Sequence, residues 1–146
     1  MVLENSLGSD GGGDSSRLVP PKVLVVDDEE DVLRLIKDAL EMEGIEVVTA
    51  FDGLSGLDVA NRELPDVVIL DIMMPLMNGY EVCKQLRDND RTGDIPVLFL
   101  SSAYTTDAVQ ASKDLGAVGY IVKPFAPSEL ITAVKDVIES TRSENG

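Results

Sequence analysis

Apolar positions along the 146-residue chain fall into two alternating kinds of grouping. Short unbroken runs occupy Val23–Val26, Val47–Thr49, Val67–Leu70, Val97–Leu100 and Tyr120–Val122. Runs of this length without polar alternation suit strands covered on both faces, as in a parallel sheet. Between and after them, apolar residues recur at helical spacing. The stripes are Val32, Leu33, Ile36, Ala39 and Leu40; Leu54, Leu57, Ala60 and Leu64; Tyr80, Val82, Cys83 and Leu86; and a thin one of Ala108, Ala111 and Leu115. Leu130, Ile131, Val134, Val137 and Ile138 form the last. Gly44 is a C-cap candidate for the first helix, Pro65 stops the second, and Pro127 suits the first turn of the fifth. Ala126 in front of that turn is a poor N-cap, which predicts a soft start. Five strand–helix repeats with right-handed crossovers give an α/β three-layer sandwich, while periodicity alone leaves the strand order open.

Residues 1–20 are rich in Gly and Ser and read as a flexible tail, residues 21–140 as one folded domain, and residues 141–146 as a frayed end. The charge is one-sided, with 12 basic against 27 acidic residues and a net −15. A surface of that sign repels a phosphate backbone, so no direct nucleic-acid binding by this domain is expected. No apolar run approaches the length of a membrane helix, and no secretory signal opens the chain. The lone Cys83 closes no internal disulfide, which fits a reducing cytoplasm, and reads as a small buried hydrophobe. With no histidine at all, histidine-based triads and histidine-bearing zinc sites are excluded.

The chemistry lies in the polar residues at the end of each apolar run. Asp27 and Asp28 come directly after the first, Asp71 after the third, Ser101 after the fourth and Lys123 after the fifth. In an open parallel sheet, ligands bind at the carboxyl ends of the strands, so these side chains converge on one crevice. Three carboxylates crowded there repel one another unless a cation neutralises them, and an all-oxygen set suits Mg²⁺. Lys123 adds positive charge for a phosphoryl oxygen and Ser101 a hydroxyl donor. Taken singly, each has a plainer reading: Asp27 and Asp28 as helix caps, Asp71 as a loop residue, Ser101 as a cap, Lys123 as a solvated lysine. Their joint occurrence at consecutive strand ends outweighs these.

The stretches KVLVVDDEED (22–31), VVILDIMMPLMNGYEVC (67–83), IPVLFLSS (95–102) and GYIVKPF (119–125) resemble, in family order, the receiver domain of bacterial two-component response regulators. The resemblance extends over about residues 21–140 and includes chemotaxis-type single-domain receivers. It implies a flavodoxin-like (βα)5 fold with strand order 2-1-3-4-5, and Asp71 as acceptor of a phosphoryl group from a sensor histidine kinase or a small phosphodonor. It further implies Asp28 as direct Mg²⁺ ligand, Asp27 as holder of metal-bound water, and the Met73 carbonyl as a backbone ligand. Lys123 matches the lysine that pairs with acceptor and phosphoryl group, Lys123–Pro124 the family's cis peptide, and Ser101 and Tyr120 the switch pair. Without the family, Tyr120 reads as a half-buried strand aromatic.

The implied output is a protein contact through the fourth helix, fifth strand and fifth helix with an unknown downstream protein. A homodimer of the phosphorylated form is compatible with it. The implied activity is self-phosphorylation at Asp71 with slow autodephosphorylation, not turnover of a substrate. The sequence leaves open whether the domain stands alone, belongs to a larger regulator or hybrid kinase, or serves a phosphorelay. The alternative is a phosphatase or phosphotransferase working through an aspartyl phosphate. Dehalogenase-type enzymes of that kind need a second Asp where Met73 stands, and phosphate-binding glycine loops are absent. Ser102, Ala126, Met73 and Ala103 depart from frequent family residues. Met73, Met74 and Met77 are expected to pack the loop.

Overall fold

The structure, a computed structural model, describes residues 19–145, so all but the last two residues of the expected tail lie outside it. Five parallel strands, β1 (Lys22–Val26), β2 (Glu46–Ala50), β3 (Val67–Asp71), β4 (Val97–Ser101) and β5 (Gly119–Val122), form one sheet in the order β2-β1-β3-β4-β5. They alternate with α1 (Glu30–Glu41), α2 (Gly53–Glu63), α3 (Gly79–Asp88), α4 (Thr106–Asp114) and α5 (Pro127–Asn145). This is the flavodoxin-like arrangement that the motifs imply.

The unbroken apolar runs have the expected cause. Because successive strand residues point to opposite faces, Val23, Val25, Ile69 and Leu100 join α1 and α5 in one core, through Ile36, Leu40, Leu130 and Val134. Leu24, Val26, Leu70 and Phe99 join α2 and α3 in the other, through Ala60, Val82, Cys83 and Leu86. Asp71 is thus the last residue of a central strand, with neighbours on both sides and both faces covered.

The helices depart from expectation in instructive ways. On α2 the buried residues are Gly53, Gly56 and Ala60; of the expected stripe Ala60 is buried and Leu57 packs half-buried on the core, but Leu54 is 70% exposed and Leu64 is also exposed. The helix approaches the sheet too closely for a larger side chain. A Cβ on Gly56 would lie 2.9 Å from Val26 Cγ2. The thin stripe of α4 is only half buried, and the buried residue of that helix is Ser112, whose hydroxyl donates to the Ala108 carbonyl at 2.9 Å. Neither Asp27 nor Asp28 caps α1: its N-cap is Glu29, without a side-chain cap bond. Thr105, not Ser101, caps α4, accepting from the Ala108 amide at 3.1 Å. Ahead of α5, the Glu129 carboxylate accepts from the Ala126 amide at 3.0 Å, one half of a capping box despite the alanine. The helix continues through Asn145, past residue 140, the expected end of the folded domain.

Gly79 opens α3 directly against the end of β3. A Cβ there would stand 2.4 Å from the Asp71 carbonyl oxygen and 2.9 Å from Ile72 Cα. Backbone cannot give way as a flexible side chain can. Gly79→Ala is therefore expected to cost about 2 kcal/mol or more of stability, read as a lower denaturant midpoint at unchanged slope.

Candidate functional site

The carboxyl edge of the sheet gathers the polar residues that end the strands. Asp27 is fully buried, Asp71 is 2% exposed and Asp28 is exposed, and one carboxylate oxygen of each lies within 4.8 Å of the others. Among the described residues this is the one cluster of acidic side chains close enough to share a metal ion. It opens on a cavity of about 560 Å³, whose lining includes Asp28, Glu29, Asp71, Met73, Ser102 and Lys123.

Local backbone geometry aims these groups. The Asp27 amide donates to the Ala50 carbonyl at 3.2 Å, tying the end of β1 to β2. Asp27 Oδ1 accepts from the Glu29 amide at 2.8 Å, which turns the chain into α1. Asp71 Oδ1 accepts from the Met73 amide at 3.2 Å. Across the sheet, the Lys123 amide donates to the Ser101 carbonyl at 2.8 Å, and the Lys123–Pro124 peptide is cis. The Lys123 ammonium reaches back over β1, to 2.8 Å from Asp27 Oδ2, 3.0 Å from Glu29 Oε1 and 3.5 Å from Asp71 Oδ2.

One ammonium thus faces a crowd of carboxylates, and their titration reflects it. Burial, then the neighbouring Asp27 charge, push the Asp71 carboxyl up to about 6, against the pull of Lys123. Burial likewise raises Asp27, only partly countered by Lys123 and the Glu29 amide. For Lys123, burial disfavours the charge, but the nearby carboxylates of Asp27 and Glu29 more than offset this and hold it above the ordinary lysine range. Asp27 Oδ2 is buried and meets Lys123 as an ion pair without hydrogen-bond alignment, so its lone pairs stay incompletely matched. An unmatched buried oxygen beside two further carboxylates fits a hard divalent cation such as Mg²⁺.

Ser101 is buried at the end of β4, and its Oγ accepts from the Ala103 amide at 3.0 Å. The Tyr120 hydroxyl donates to the carbonyl of the same Ala103, and its ring meets Tyr104 edge-on at 6.2 Å. One alanine backbone thus bridges the expected switch pair. Nothing in the identity of an alanine signals this. Sequence reasoning also misses the Glu29 contact with Lys123, although the acidic run DDEE places a third acid beside the pair. Met74 is buried and Met77 half-buried as expected, but Met73 is 65% exposed at the cavity rim and does not pack the loop. Cys83 is buried and its thiol is pushed up by burial, in line with an inert hydrophobe.

Residues 23–135 match the model of the response regulator receiver domain. The chain belongs to that family. It is 42% identical over 120 residues to the probable transcriptional regulator ycf27 of Guillardia theta, covering 82% of this chain and 46% of the relative. It is also 42% identical over 123 residues to the alkaline phosphatase synthesis transcriptional regulatory protein PhoP of Bacillus subtilis, covering 84% and 50%. The chain therefore spans about half the length of these curated relatives. Among solved structures, the chemotaxis protein CheY4 of Vibrio cholerae superposes with a TM-score of 0.78 at 35% identity, over 82% of this chain and 99% of that one. This receiver domain is a phosphorylation-controlled signalling module of the two-component type, not a classical enzyme. No helix among the described residues is long and apolar enough to cross a membrane.

Proposed function

We propose that this receiver domain takes a phosphoryl group from the phosphohistidine of a sensor histidine kinase, or from a small phosphodonor, onto Asp71. The observation that carries the reading is the setting of Asp71: it is 2% exposed, ends a central strand and faces an ammonium 3.5 Å away, with two further carboxylates within 4.8 Å. An Asp71 carboxylate oxygen attacks phosphorus, the bond to the donor's nitrogen or oxygen breaks, and the pair departs with the donor. Asp27, Asp28, Asp71 and the Met73 carbonyl would hold Mg²⁺, which supplies positive charge to the transferring phosphoryl oxygens. Lys123 neutralises further charge and holds a phosphoryl oxygen in place. Ser101, whose Oγ accepts from the Ala103 amide, donates its hydroxyl hydrogen to the product and draws that loop toward it. Because Tyr120 is held on the same residue, its hydroxyl bond is released as that loop moves.

The output is a protein contact through α4, β5 and α5, made with a downstream protein or with a second phosphorylated copy. The curated relatives, about twice this length, are named as transcriptional regulators, which supports a regulatory output; the net charge of −15 speaks against direct nucleic-acid contact by the domain itself. The test is Mg²⁺-dependent uptake of one phosphoryl group from acetyl phosphate by intact mass. NMR should then show amide shifts along residues 108–115 and 120–122 that exceed those along 32–40. Changes confined to the neighbours of Asp71 would argue against a switch at this face.

A long phosphate lifetime for this family is expected. A hydrolytic water must be aligned opposite the Asp71 oxygen, and Met73 and Ala103 offer no side chain to orient it. Met73→Asn combined with Ala103→Glu should lose phosphate several-fold faster than the parent in excess Mg²⁺ without kinase. An unchanged rate places control of the lifetime elsewhere.

A further inference from the structure

The Lys123 ammonium sits closer to two carboxylates than to the one it serves. Its Nζ is 2.8 Å from Asp27 Oδ2 and 3.0 Å from Glu29 Oε1, but 3.5 Å from Asp71 Oδ2. We propose that Glu29 is a positioning residue that draws Lys123 away from the acceptor in the resting domain and so slows phosphoryl uptake; this rests on the reading of Asp71 as acceptor.

The geometry around Lys123 supports it. Glu29 reaches Lys123 from 94 positions away in the chain, across the mouth of the cavity, and forms a hydrogen bond as well as an ion pair. Lys123 is only 15% exposed, so its ammonium has little solvent to turn into and is shared among Asp27, Glu29 and Asp71. On the proposed function Asp27 is engaged by the bound cation, so the competition that persists in the cation-loaded domain is between Glu29 and Asp71. Glu29 itself is 61% exposed, and its bond to Lys123 is correspondingly weak enough for an arriving phosphoryl group to displace.

The experiment compares the parent chain with Glu29→Gln and Glu30→Gln. Glu30 is an exposed neighbour without a contact to Lys123 among the described residues, so it controls for loss of one negative charge near the cavity. Phosphoryl uptake from acetyl phosphate in Mg²⁺ is followed by intact mass, and the Lys123 ε-methylene signals are followed by NMR before any donor is added. The expected result is uptake about two- to fivefold faster in Glu29→Gln, a parent-like rate in Glu30→Gln, and displaced Lys123 signals in Glu29→Gln alone. Equal acceleration by both variants would reduce the effect to bulk charge and overturn the proposal. So would unmoved Lys123 signals, or an unchanged rate in a chain that labels at Asp71. A parent that takes no label at Asp71 overturns the acceptor reading instead, and the Lys123 signals still decide whether Glu29 holds the ammonium.

Discussion

Asp71→Asn will carry no phosphoryl group after incubation with acetyl phosphate and Mg²⁺, under conditions where the parent gains one. An amide oxygen is a far poorer nucleophile than a carboxylate, and the substitution also removes a charge from the cation-binding set. The neighbouring acids cannot substitute cleanly. Asp27 is fully buried with one oxygen committed to the Glu29 amide and the other against Lys123, and Asp28 is exposed on the loop after β1. The loss should therefore be complete within detection, with the variant still folded by circular dichroism. Undiminished labelling of Asp71→Asn, stable to acid, would place the phosphoryl group on another residue and defeat the assignment.

The same substitution should stabilise the protein in the absence of divalent cation. The Asp71 carboxyl titrates at about 6 in the folded state, against 3.8 for an unperturbed aspartate. The fold therefore binds the proton more tightly than the unfolded chain. Asp71 contributes most favourably below pH 4, and that contribution is lost as pH rises through 6. At pH 7 the ionised, desolvated carboxylate beside Asp27 is a net cost, which the Lys123 ammonium 3.5 Å away only partly offsets. Replacing it with a neutral isostere should raise stability at pH 7 by about 1–3 kcal/mol and flatten the dependence between pH 4 and 6. Asp27, raised by the same burial, keeps a smaller dependence of the same sign in the variant. Mg²⁺ should erode that advantage. Saturating cation stabilises the parent, by about 2.7 kcal/mol at a hundred times its dissociation constant, and the variant, short of one ligand, gains less. Thermal or chemical denaturation with and without chelator reads both effects. A metal-free Asp71→Asn less stable than its parent at pH 7 would mean that attraction to Lys123 outweighs burial and repulsion.

The five strands and their order of appearance are legible from apolar runs alone. A strand buried on both faces has no room for polar alternation, and Val23–Val26, Val67–Leu70 and Val97–Leu100 show none. Asp27, Asp71, Ser101 and Lys123 are legible as convergent because the carboxyl ends of parallel strands share one edge of the sheet, whatever the strand order. The order itself, and the separate roles of those residues, come from the match of motifs to a family and not from periodicity. Buried α3 residues keep to the helical stripe, since Val82, Cys83 and Leu86 are the apolar groups available to face the sheet.

The misses share one cause. α2 turns its glycines rather than Leu54 to the sheet because Val26 already fills the space, which is a property of the packed pair. Ala103 becomes the bridge between Ser101 and Tyr120 through its backbone, a feature that every residue carries and no side chain advertises. The residue types, their burial preference and the edge on which they gather are set locally, by side-chain chemistry and strand direction, and so can be read along the chain. Whether Lys123 lies nearer Glu29 or Asp71 is a difference of 0.5 Å between contacts at 3.0 Å and 3.5 Å, made to residues far away in the chain. Only the register of the sheet and the packing of the helices on it decide a distance of that kind.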